Sequence, residues 1–323
     1  MADKLLYLSR ADVERLMPQR SVLRNVIAEA IQATAAGQLK FEPKATLAYA
    51  TGHSFQSMPA LVSDGRGNGF ATIKWVSVVP VSQNSNLDNI HSIICVNDLA
   101  TGQPLAIMDG NYITLVRTAA LSALAAHRMY PGNPLSIGFI GCGQQAKEHL
   151  LTFCDLYPSL QSVFCFSRSE QSAQNLAAFA SEHRLEARGI QTPDEIIENC
   201  NIVISTVPAA PGLQPFLDAR QLSPHALAIM VDLGRSWIPE SFTAFHDIAT
   251  DSLHQSRHPY DNQGNELTCI PVKTDLETLT KQPVIRTGRK AFFFKGIASA
   301  DLAVAKAVYQ RAVELNAGVL LRR

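Results

Sequence analysis

The sequence carries no surplus of charge of either sign, and it has few charged residues of any kind. Its 28 Lys and Arg residues balance 28 Asp and Glu residues, and charged residues make up only 17% of the 323 residues. A surface without excess positive charge has no electrostatic attraction for nucleic acid or for an anionic membrane. We therefore expect neither of these as a partner.

Long hydrophobic runs and paired cysteines are also missing. No apolar run approaches the roughly 20 residues that a membrane-spanning helix needs, and Met1–Arg10 lacks the apolar core of a signal peptide. The six cysteines are scattered, with no C-x-x-C pair and no histidine at a zinc-ligand spacing. They indicate reduced thiols, not a metal site or a disulfide framework. We expect a cytoplasmic protein without a bound metal, long enough for one large or two ordinary domains.

What the sequence does contain is a glycine turn between two apolar runs, within Ser136–Ser169. The run Ile137–Ile140 ends in Gly141-Cys142-Gly143, a helical pattern follows, and Val163–Phe166 is a second apolar run. Strand, glycine turn, helix and strand make a βαβ unit, and Gly141, Gly143 and Ala146 fill the pattern G-x-G-x-x-G/A. Such a turn lets the backbone approach a pyrophosphate, and the helix N-terminus offers N–H groups to it. The stretch predicts a bound dinucleotide; glycine used for turn geometry alone is the alternative.

The residues after the second run indicate which dinucleotide is bound. An acidic residue there suits a free ribose 2′-hydroxyl, but this chain has Ser167-Arg168-Ser169 and no carboxylate before Glu170. A guanidinium and two hydroxyls suit a 2′-phosphate, which favours NADP(H) and leaves NAD(H) as the alternative. The competing interpretation is an exposed arginine in a loop.

Patterns on either side of this unit predict two kinds of domain. Residues 1–37 read as helical, with Ser9 as the cap of a first short helix, and residues 41–110 read as a mostly antiparallel sheet. After the βαβ unit, helices alternate with buried parallel strands at Ile202–Val207 and Ala226–Leu233. A capping box at Thr192–Glu195 has proline at its first helical position.

The last quarter of the chain is less regular. Residues 252–290 are polar and poor in pattern, as in a lid or a surface excursion. A final strand follows at Ala291–Phe294, and Ile297–Leu320 reads as one long amphipathic helix.

Two cationic residues, Lys74 and Arg117, stand at positions where a positive charge is energetically unfavourable. Lys74 lies inside a strand, and burying it without a partner carries a large desolvation cost. Arg117 lies near the start of a helix over residues 112–129, where it opposes the helix dipole. Either each holds an anion, or Lys74 faces water and Arg117 makes a structural ion pair.

Several motifs, taken in order, carry a family resemblance. They are Met58-Pro59-Ala60, Lys74-Trp75-Val76, Asp98 followed by Thr101-Gly102 and Pro104, Met108-Asp109, Arg117-Thr118-Ala119-Ala120, the glycine turn with Gln145 and Ala146, and Phe294-Lys295-Gly296 followed by Asp301. Over nearly the whole chain, this set resembles the ornithine cyclodeaminase/μ-crystallin family.

The resemblance implies an α/β protein with a Rossmann-type nucleotide domain and an α+β substrate-binding and dimerisation domain. The substrate domain would comprise residues 1–118 with 303–323, and the nucleotide domain residues 119–302. A homodimer acting on small α-amino or α-imino acids is also implied. Ornithine cyclodeaminases, ketimine reductases, alanine dehydrogenases and an amino-acid condensing synthase belong to this family.

The resemblance also assigns site residues. Lys74 and Arg117 would hold the substrate carboxylate, and Ser92 falls near a family threonine that lines the site. The other implied substrate contacts are Lys44 and Met58. The implied cofactor contacts are Thr118, Gly141, Gly143, Gln144, Gln145, Ser167, Arg168, Ser169, Thr206, Val207, Lys295 and Gly296.

Two departures from the family pattern bear on the reaction. Lys44 stands where the family has an arginine, and it cannot make the same bidentate contact with a carboxylate. The catalytic aspartate of ornithine cyclodeaminases aligns with Gly234, and Asp232 lies two residues earlier, about 7 Å away along a strand. Asp232 could replace that aspartate only if the backbone shifts.

Because cyclodeamination needs this base and reduction of an existing imine does not, the leading hypothesis is NADPH-dependent reduction of a small α-imino acid. A cyclic ketimine such as Δ1-pyrroline-2-carboxylate is the obvious substrate. The alternatives are an ornithine or lysine cyclodeaminase with tightly bound NAD(H), an amino-acid dehydrogenase or condensing synthase, and a dinucleotide-binding protein without turnover.

Overall fold

The structure, a computed structural model, describes residues 4–50, 53–80, 88–210, 212–256, 270–282 and 287–323. These residues form two compact units. The first contains the described residues of Met1–Arg117 and Gly296–Arg323, and the second contains those of Thr118–Pro259 and Leu267–Lys295. The assignment of substrate binding to one unit and nucleotide binding to the other stays a prediction.

The first unit begins with strands and helices and continues to Arg117, inside a long helix whose residues from Thr118 onward belong to the second unit. In chain order they are β1 (Lys4–Leu8), α1 (Arg10–Leu16), α2 (Arg20–Ala35), β2 (Leu39–Phe41), β3 (Ala45–Ala50), β4 (His53–Ser63), β5 (Gly69–Val78), β6 (Ile90–Asp98), β7 (Pro104–Asp109) and α3 (Asn111–Met129). Ser9 caps α1 in a capping box with Asp12, as the sequence predicts. The prediction that residues 1–37 are helical is wrong at β1, where Leu6 and Leu8 alternate with the half-exposed Tyr7.

The second unit alternates strands and helices. They are β8 (Ser136–Ile140), α4 (Gln144–Leu156), β9 (Ser162–Phe166), α5 (Glu170–Glu182), β10 (Glu186–Gly189), α6 (Asp194–Asn199), β11 (Ile202–Ser205), β12 (Leu227–Met230), β13 (Asp247–Thr250), α7 (Leu253–Ser256), β14 (Thr274–Asp275), α8 (Leu276–Lys281) and β15 (Lys290–Phe293). Two 3₁₀ turns lie at Ala219–Gln221 and Pro239–Ala244. The chain then returns to the first unit through α9 (Ala298–Glu314) and β16 (Val319–Arg322).

Three predicted elements differ from the structure. The predicted capping box at Thr192 is absent, because Pro193 itself is the N-cap of α6 and no side chain caps it. Strand β12 ends at Met230, so Asp232 lies in a turn instead of a strand. The predicted final helix ends at Glu314, and its first two turns are buried almost all round instead of amphipathic. Of the polar stretch 252–290, residues 257–269 and 283–286 lie outside the described residues, and the rest contains α7, β14 and α8.

The sheet of the first unit has eight strands in the order β16-β1-β7-β6-β5-β4-β2, with β3 also paired to β4. Every pairing is antiparallel except β1 with β7, which agrees with the predicted mostly antiparallel sheet. The inner face of this sheet, which includes Met58, Ala60 and Val76, packs against α2 and α9 through residues such as Ala30 and Leu302. Helices therefore cover one face of the sheet.

The sheet of the second unit also has eight strands, in the order β10-β9-β8-β11-β12-β15-β13-β14. All its pairings are parallel. From β8 the chain runs outward to β9 and β10, then crosses back to β11 on the other side. This reversal makes the carboxyl ends of β8 and β11 a topological switch point, where doubly wound sheets bind ligands. The predicted fold class, a Rossmann-type unit with a second α+β unit, is confirmed.

Within the described residues, no helix combines the length and the apolar character needed to cross a bilayer.

Candidate functional site

Lys74 lies on the inner face of the first sheet, in the middle of β5. Its cross-strand neighbours are Met58 on β4 and Ile94 on β6. The side chain is only 2% exposed. The alternative that Lys74 faces water is therefore wrong, and the strand geometry itself forces its ammonium group into the unit.

The ammonium group of Lys74 meets a carboxylate that comes from far along the chain. Its Nζ lies 2.8 Å from each carboxylate oxygen of Asp301, and it donates to Thr114 Oγ1 at 3.2 Å. Arg117 Nε donates to Asp301 Oδ1 at 3.0 Å. Two cations and one carboxylate, all nearly excluded from solvent, thus form a buried cluster.

The charges of this cluster act on Lys74 in opposite directions. The pKa of Lys74 is lowered from 10.5 to about 8, chiefly by burial and also by the charge of Arg117. Asp301 raises it, through its charge and its hydrogen bond. Lys74 is thus placed to exchange its proton near neutral pH. Arg117 sits in the second turn of α3, and Asp301 is an anion that it holds.

The other predicted substrate contacts lie on or near the same sheet. Met58 is buried beside Lys74 on the inner face. Ser92, on β6, is also buried, and its hydroxyl donates to Asn111 Oδ1 at 3.0 Å at the start of α3. Lys44 is half-buried immediately before β3.

The glycine turn of the second unit follows β8 directly. Gly141 has a φ of +90°, and a Cβ there would lie 3.0 Å from the backbone carbonyl of Thr206. Its N–H donates to Phe166 O and its carbonyl accepts from Thr206 Oγ1, both at 2.9 Å. The turn therefore joins the carboxyl ends of β8, β9 and β11, and only glycine fits it.

Gly143 plays a different part in the turn. It is the N-cap of α4, no side chain caps this helix, and a Cβ at Gly143 would meet nothing within 4 Å. The backbone N–H groups of the first turn thus face an open space at the switch point, next to Gln144 and the half-buried Gln145. An uncapped helix N-terminus beside open space fits a pyrophosphate.

The predicted ribose-phosphate segment follows β9. Arg168 is exposed, Ser167 is half-buried, and Ser169 caps α5 by accepting from Ser172 N at 3.3 Å. Ser169 keeps its hydroxyl proton for another acceptor, because its oxygen is the capping group. One guanidinium and hydroxyl groups therefore stand at the end of the second strand, as the sequence predicts.

The remaining predicted cofactor residues are spread over both units. Thr206 and Val207 follow β11, next to the glycine turn. Lys295 is buried after β15, its N–H donates to Asp251 Oδ2 at 3.0 Å, and its ammonium lies 5.7 Å from the Phe293 ring centre. Thr118 is buried in α3, and Gly296 has a φ of +80°. The roles of these residues stay predictions.

Asp232 is held by its own neighbours in the second unit. Its carboxylate accepts from Ser205 Oγ at 2.9 Å, from the N–H of Gly234 at 3.2 Å, and from the hydroxyl of Ser236. Trp237 Nε1 in turn donates to Ser205 Oγ. The turn is built from two residues at positive φ, Leu233 at 60° and Gly234 at 71°. Burial raises the pKa of Asp232 to about 6, and these hydrogen bonds oppose that rise.

Two residues of the first unit received no role from the sequence. Asp301 stood in a family motif, but nothing local marks it as the partner of a lysine 227 positions earlier. Ser299, two residues before Asp301 in α9, is fully buried, and its Oγ makes no hydrogen bond within the described chain. The sequence signals that could point to such an internal anion were Lys74 inside a strand and Arg117 in a helix. Among the described residues, no group of His, Cys, Asp and Glu could hold a metal.

Comparison with known proteins gives the family. Residues 4–235 match the model of the ornithine cyclodeaminase/mu-crystallin family. An alanine dehydrogenase of Archaeoglobus fulgidus is 27% identical, with 97% of each chain covered. A Δ1-pyrroline-2-carboxylate reductase of Bacillus cereus is also 27% identical, over 76% of this chain and 78% of its own. The solved archaeal alanine dehydrogenase dimer with bound NAD is 25% identical, with a TM-score of 0.86 and 99% of each chain covered.

These relatives confirm the predicted enzyme class, an NAD(P)-dependent oxidoreductase, and the resemblance that the motifs carry. The matched residues include β5 with Lys74, the glycine turn after β8 and the turn after β12. This chain belongs to the ornithine cyclodeaminase/mu-crystallin family.

Proposed function

We propose that this protein reduces a small α-imino acid to the corresponding amino acid with NADPH, and that a cyclic ketimine such as Δ1-pyrroline-2-carboxylate is its substrate. The observation that carries the proposal is the buried cluster of Lys74, Arg117 and Asp301. Both cations donate to Asp301 Oδ1, so the ammonium of Lys74 and the guanidinium of Arg117 stand side by side. The α-carboxylate of an imino acid can bind two such neighbouring cations through charge-assisted hydrogen bonds.

Reduction of an imine asks little of the protein beyond binding and orientation. A reduced nicotinamide supplies the hydride for the imine carbon, and the protonated imine nitrogen already carries the charge that attracts it. The cluster fixes the carboxylate, and therefore the face of the imine, through directed N–H groups. Lys74 can return a proton to the site near neutral pH, because burial lowers its pKa to about 8.

The geometry around Asp232 supports reduction over cyclodeamination. A cyclodeaminase needs a carboxylate that accepts a proton from the side-chain amine of its substrate. Both oxygens of Asp232 already accept hydrogen bonds from Ser205, Ser236 and the backbone of Gly234. Gly234, which takes the place of the family's catalytic aspartate, offers no side chain at all.

The preference for NADPH rests on Arg168 and its flanking serines. An exposed guanidinium with two hydroxyls at the end of β9 can bind a 2′-phosphate, and no carboxylate stands there to repel it. NAD(H) remains the alternative, since the related archaeal alanine dehydrogenase was solved with NAD.

The assembly that we propose is a homodimer formed through the outer face of the first sheet. This face, opposite the inner face, presents Leu47, Phe55, Ile73, Trp75 and Ile93, which are 37% to 68% exposed. They stand side by side, because Leu47 pairs with Phe55 and Trp75 with Ile93. An apolar sheet face of this kind is typical of an interface. Trp75→Lys should convert the dimer to a monomer in sedimentation; a monomeric wild type would contradict the assignment.

A direct assay tests the proposed reaction. Purified protein is mixed with NADPH and a panel of cyclic and acyclic α-imino acids, and absorbance is followed at the band of the reduced nicotinamide. Oxidation of NADPH with Δ1-pyrroline-2-carboxylate is the expected result. The absence of oxidation across the panel would overturn the proposal.

The second candidate function is an alanine dehydrogenase, favoured by the relative that spans 97% of this chain. That reaction also passes through an α-imino acid, formed from pyruvate and ammonia. Reduction of NAD⁺ by L-alanine, with no activity on cyclic ketimines, would favour it. Release of ammonia from ornithine without net change of the cofactor would instead identify a cyclodeaminase.

A further inference from the structure

Asp301 has a specific position in the cluster on the inner face of the first sheet. It lies in the first turn of α9 and is 1% exposed. Its Oδ1 accepts from both Lys74 Nζ and Arg117 Nε, at 2.8 and 3.0 Å, and its Oδ2 lies 2.8 Å from Lys74 Nζ. One carboxylate thus ties a strand and two helices together at the two cations.

We propose that Asp301 is a positioning residue, which keeps Lys74 protonated and aligned beside Arg117 so that the pair receives the carboxylate of the substrate. This inference rests on the proposed function, and it makes the affinity of the site for the substrate depend on Asp301. Asp301 acts through Lys74 and needs no contact with the substrate itself.

The charge balance around Lys74 supports this role. Asp301 and Arg117 are the charged groups that act on Lys74, and Thr114 adds one neutral hydrogen bond. Without Asp301, a buried ammonium would stand beside a permanently charged guanidinium, and it would lose its proton to relieve the repulsion. Neutral Lys74 attracts a carboxylate far less than the ammonium does.

The test is Asp301→Asn, with KM and kcat for Δ1-pyrroline-2-carboxylate measured between pH 6 and 9. An opposite charge at this distance is worth about one to three pKa units. If the pKa of Lys74 falls by about one to two pKa units, the protonated fraction of Lys74 changes little at pH 6 but falls roughly 5- to 50-fold at pH 8. The ratio of the variant KM to the wild-type KM should therefore grow from about 2 at pH 6 to at least about 5 at pH 8, and kcat should change less.

Two further variants separate this role from general damage. Asp301→Glu keeps the charge and should restore most of the affinity at pH 8. Asp12→Asn is the matched control, because it also removes a carboxylate that pairs with an arginine of the same unit, at 2.9 Å from Arg15. Its KM should equal that of the wild type at every pH. A KM ratio for Asp301→Asn that is the same at all pH values would overturn the inference.

A measurement independent of activity keeps the inference distinct from the proposed function. Protein labelled with ¹³Cε-lysine is titrated by NMR, with the Lys74 signal assigned from Lys74→Arg. The Lys74 midpoint should lie lower in Asp301→Asn than in the wild type, by at least about one pH unit. If the midpoint does not move, Asp301 does not control the charge of Lys74, and the inference fails even if the enzyme is active. If the midpoint moves but no imino acid is reduced, the proposed function fails and the effect of Asp301 on Lys74 stands.

Discussion

Gly141→Ala and Gly143→Ala should both weaken dinucleotide binding, but only the first should destabilise the protein. The two glycines are two residues apart in the same turn, yet their surroundings differ. Gly141 has a φ of +90° and no room for a Cβ, whereas Gly143 has a φ of −86° and open space around its Cα. The pair therefore separates the effect on the fold from the effect on the ligand.

The magnitudes follow from these surroundings. At Gly141, the left-handed conformation costs an alanine about 1–2 kcal/mol, and contact at 3.0 Å with the backbone of Thr206 adds about 1–3 kcal/mol of overpacking. At Gly143, the loss of freedom in the unfolded chain stabilises by about 0.4–1 kcal/mol, and an alanine N-cap costs a similar amount. The net change in unfolding free energy at Gly143 should thus be close to zero.

Binding should change in both variants. The open space at Gly143 is the space that a pyrophosphate needs, so a methyl group there should cost about 1–3 kcal/mol of binding, or about 5- to 150-fold in Kd. Urea unfolding without ligand gives the stability, and quenching of protein fluorescence by NADPH gives the Kd. Unchanged NADPH affinity in a stable Gly143→Ala protein would refute the assignment of this turn to the pyrophosphate.

Three further results are expected. Burial lowers the pKa of His149 to about 4, so the native protein loses stability as pH falls from 6.5 towards 4. Over that range, the free energy of unfolding, measured in urea, should fall by about 3 kcal/mol less in His149→Gln than in the wild type. Burial raises the pKa of Asp232 from 3.8 to about 6, so the free energy of unfolding falls as pH rises through that interval. Asp232→Asn should make the free energy of unfolding less dependent on pH there, and the variant should still reduce the imino acid. Loss of turnover in this variant would show that Asp232 is catalytic. Arg168→Ala should weaken NADPH about tenfold and leave NADH unchanged, and an equal loss for both would show that Arg168 does not contact the 2′-phosphate.

Much of the fold was readable because its signals are local and repeated. Strand β5 alternates buried Thr72, Lys74 and Val76 with exposed Ile73 and Trp75, which is the period of a half-buried strand. The glycine turn predicted both a βαβ unit and its ligand class. These signals arise from neighbours in sequence, and no knowledge of distant contacts is needed to interpret them.

Short edge strands were harder to predict. In β16, apolar residues continue the pattern of α9, so the pattern predicts a helix as far as Leu320. The true stop is Asn316 and Gly318, both at positive φ, and these are residue types that end helices. Strand β1 has only five residues and adjoins a helix, so its alternation is too brief to outweigh the helical pattern beside it.

The site was predicted only in part, because its centre depends on a contact across most of the chain. The sequence marks Lys74 and Arg117 as costly cations for which an anion is one of two interpretations, and Asp301 lies 227 and 184 positions away from them. Likewise, the environment of Asp232 depends on Ser205, which reaches it only because β11 and β12 pair in the parallel sheet.

The most direct measurement follows the hydride itself. NADPH carrying deuterium at C4 of the nicotinamide, on the face that the enzyme uses, is incubated with the protein and Δ1-pyrroline-2-carboxylate, and the product is analysed by mass spectrometry. The proposed function predicts proline with one deuterium at the α-carbon. Proline without deuterium, or NADPH oxidised with no proline formed, would contradict it.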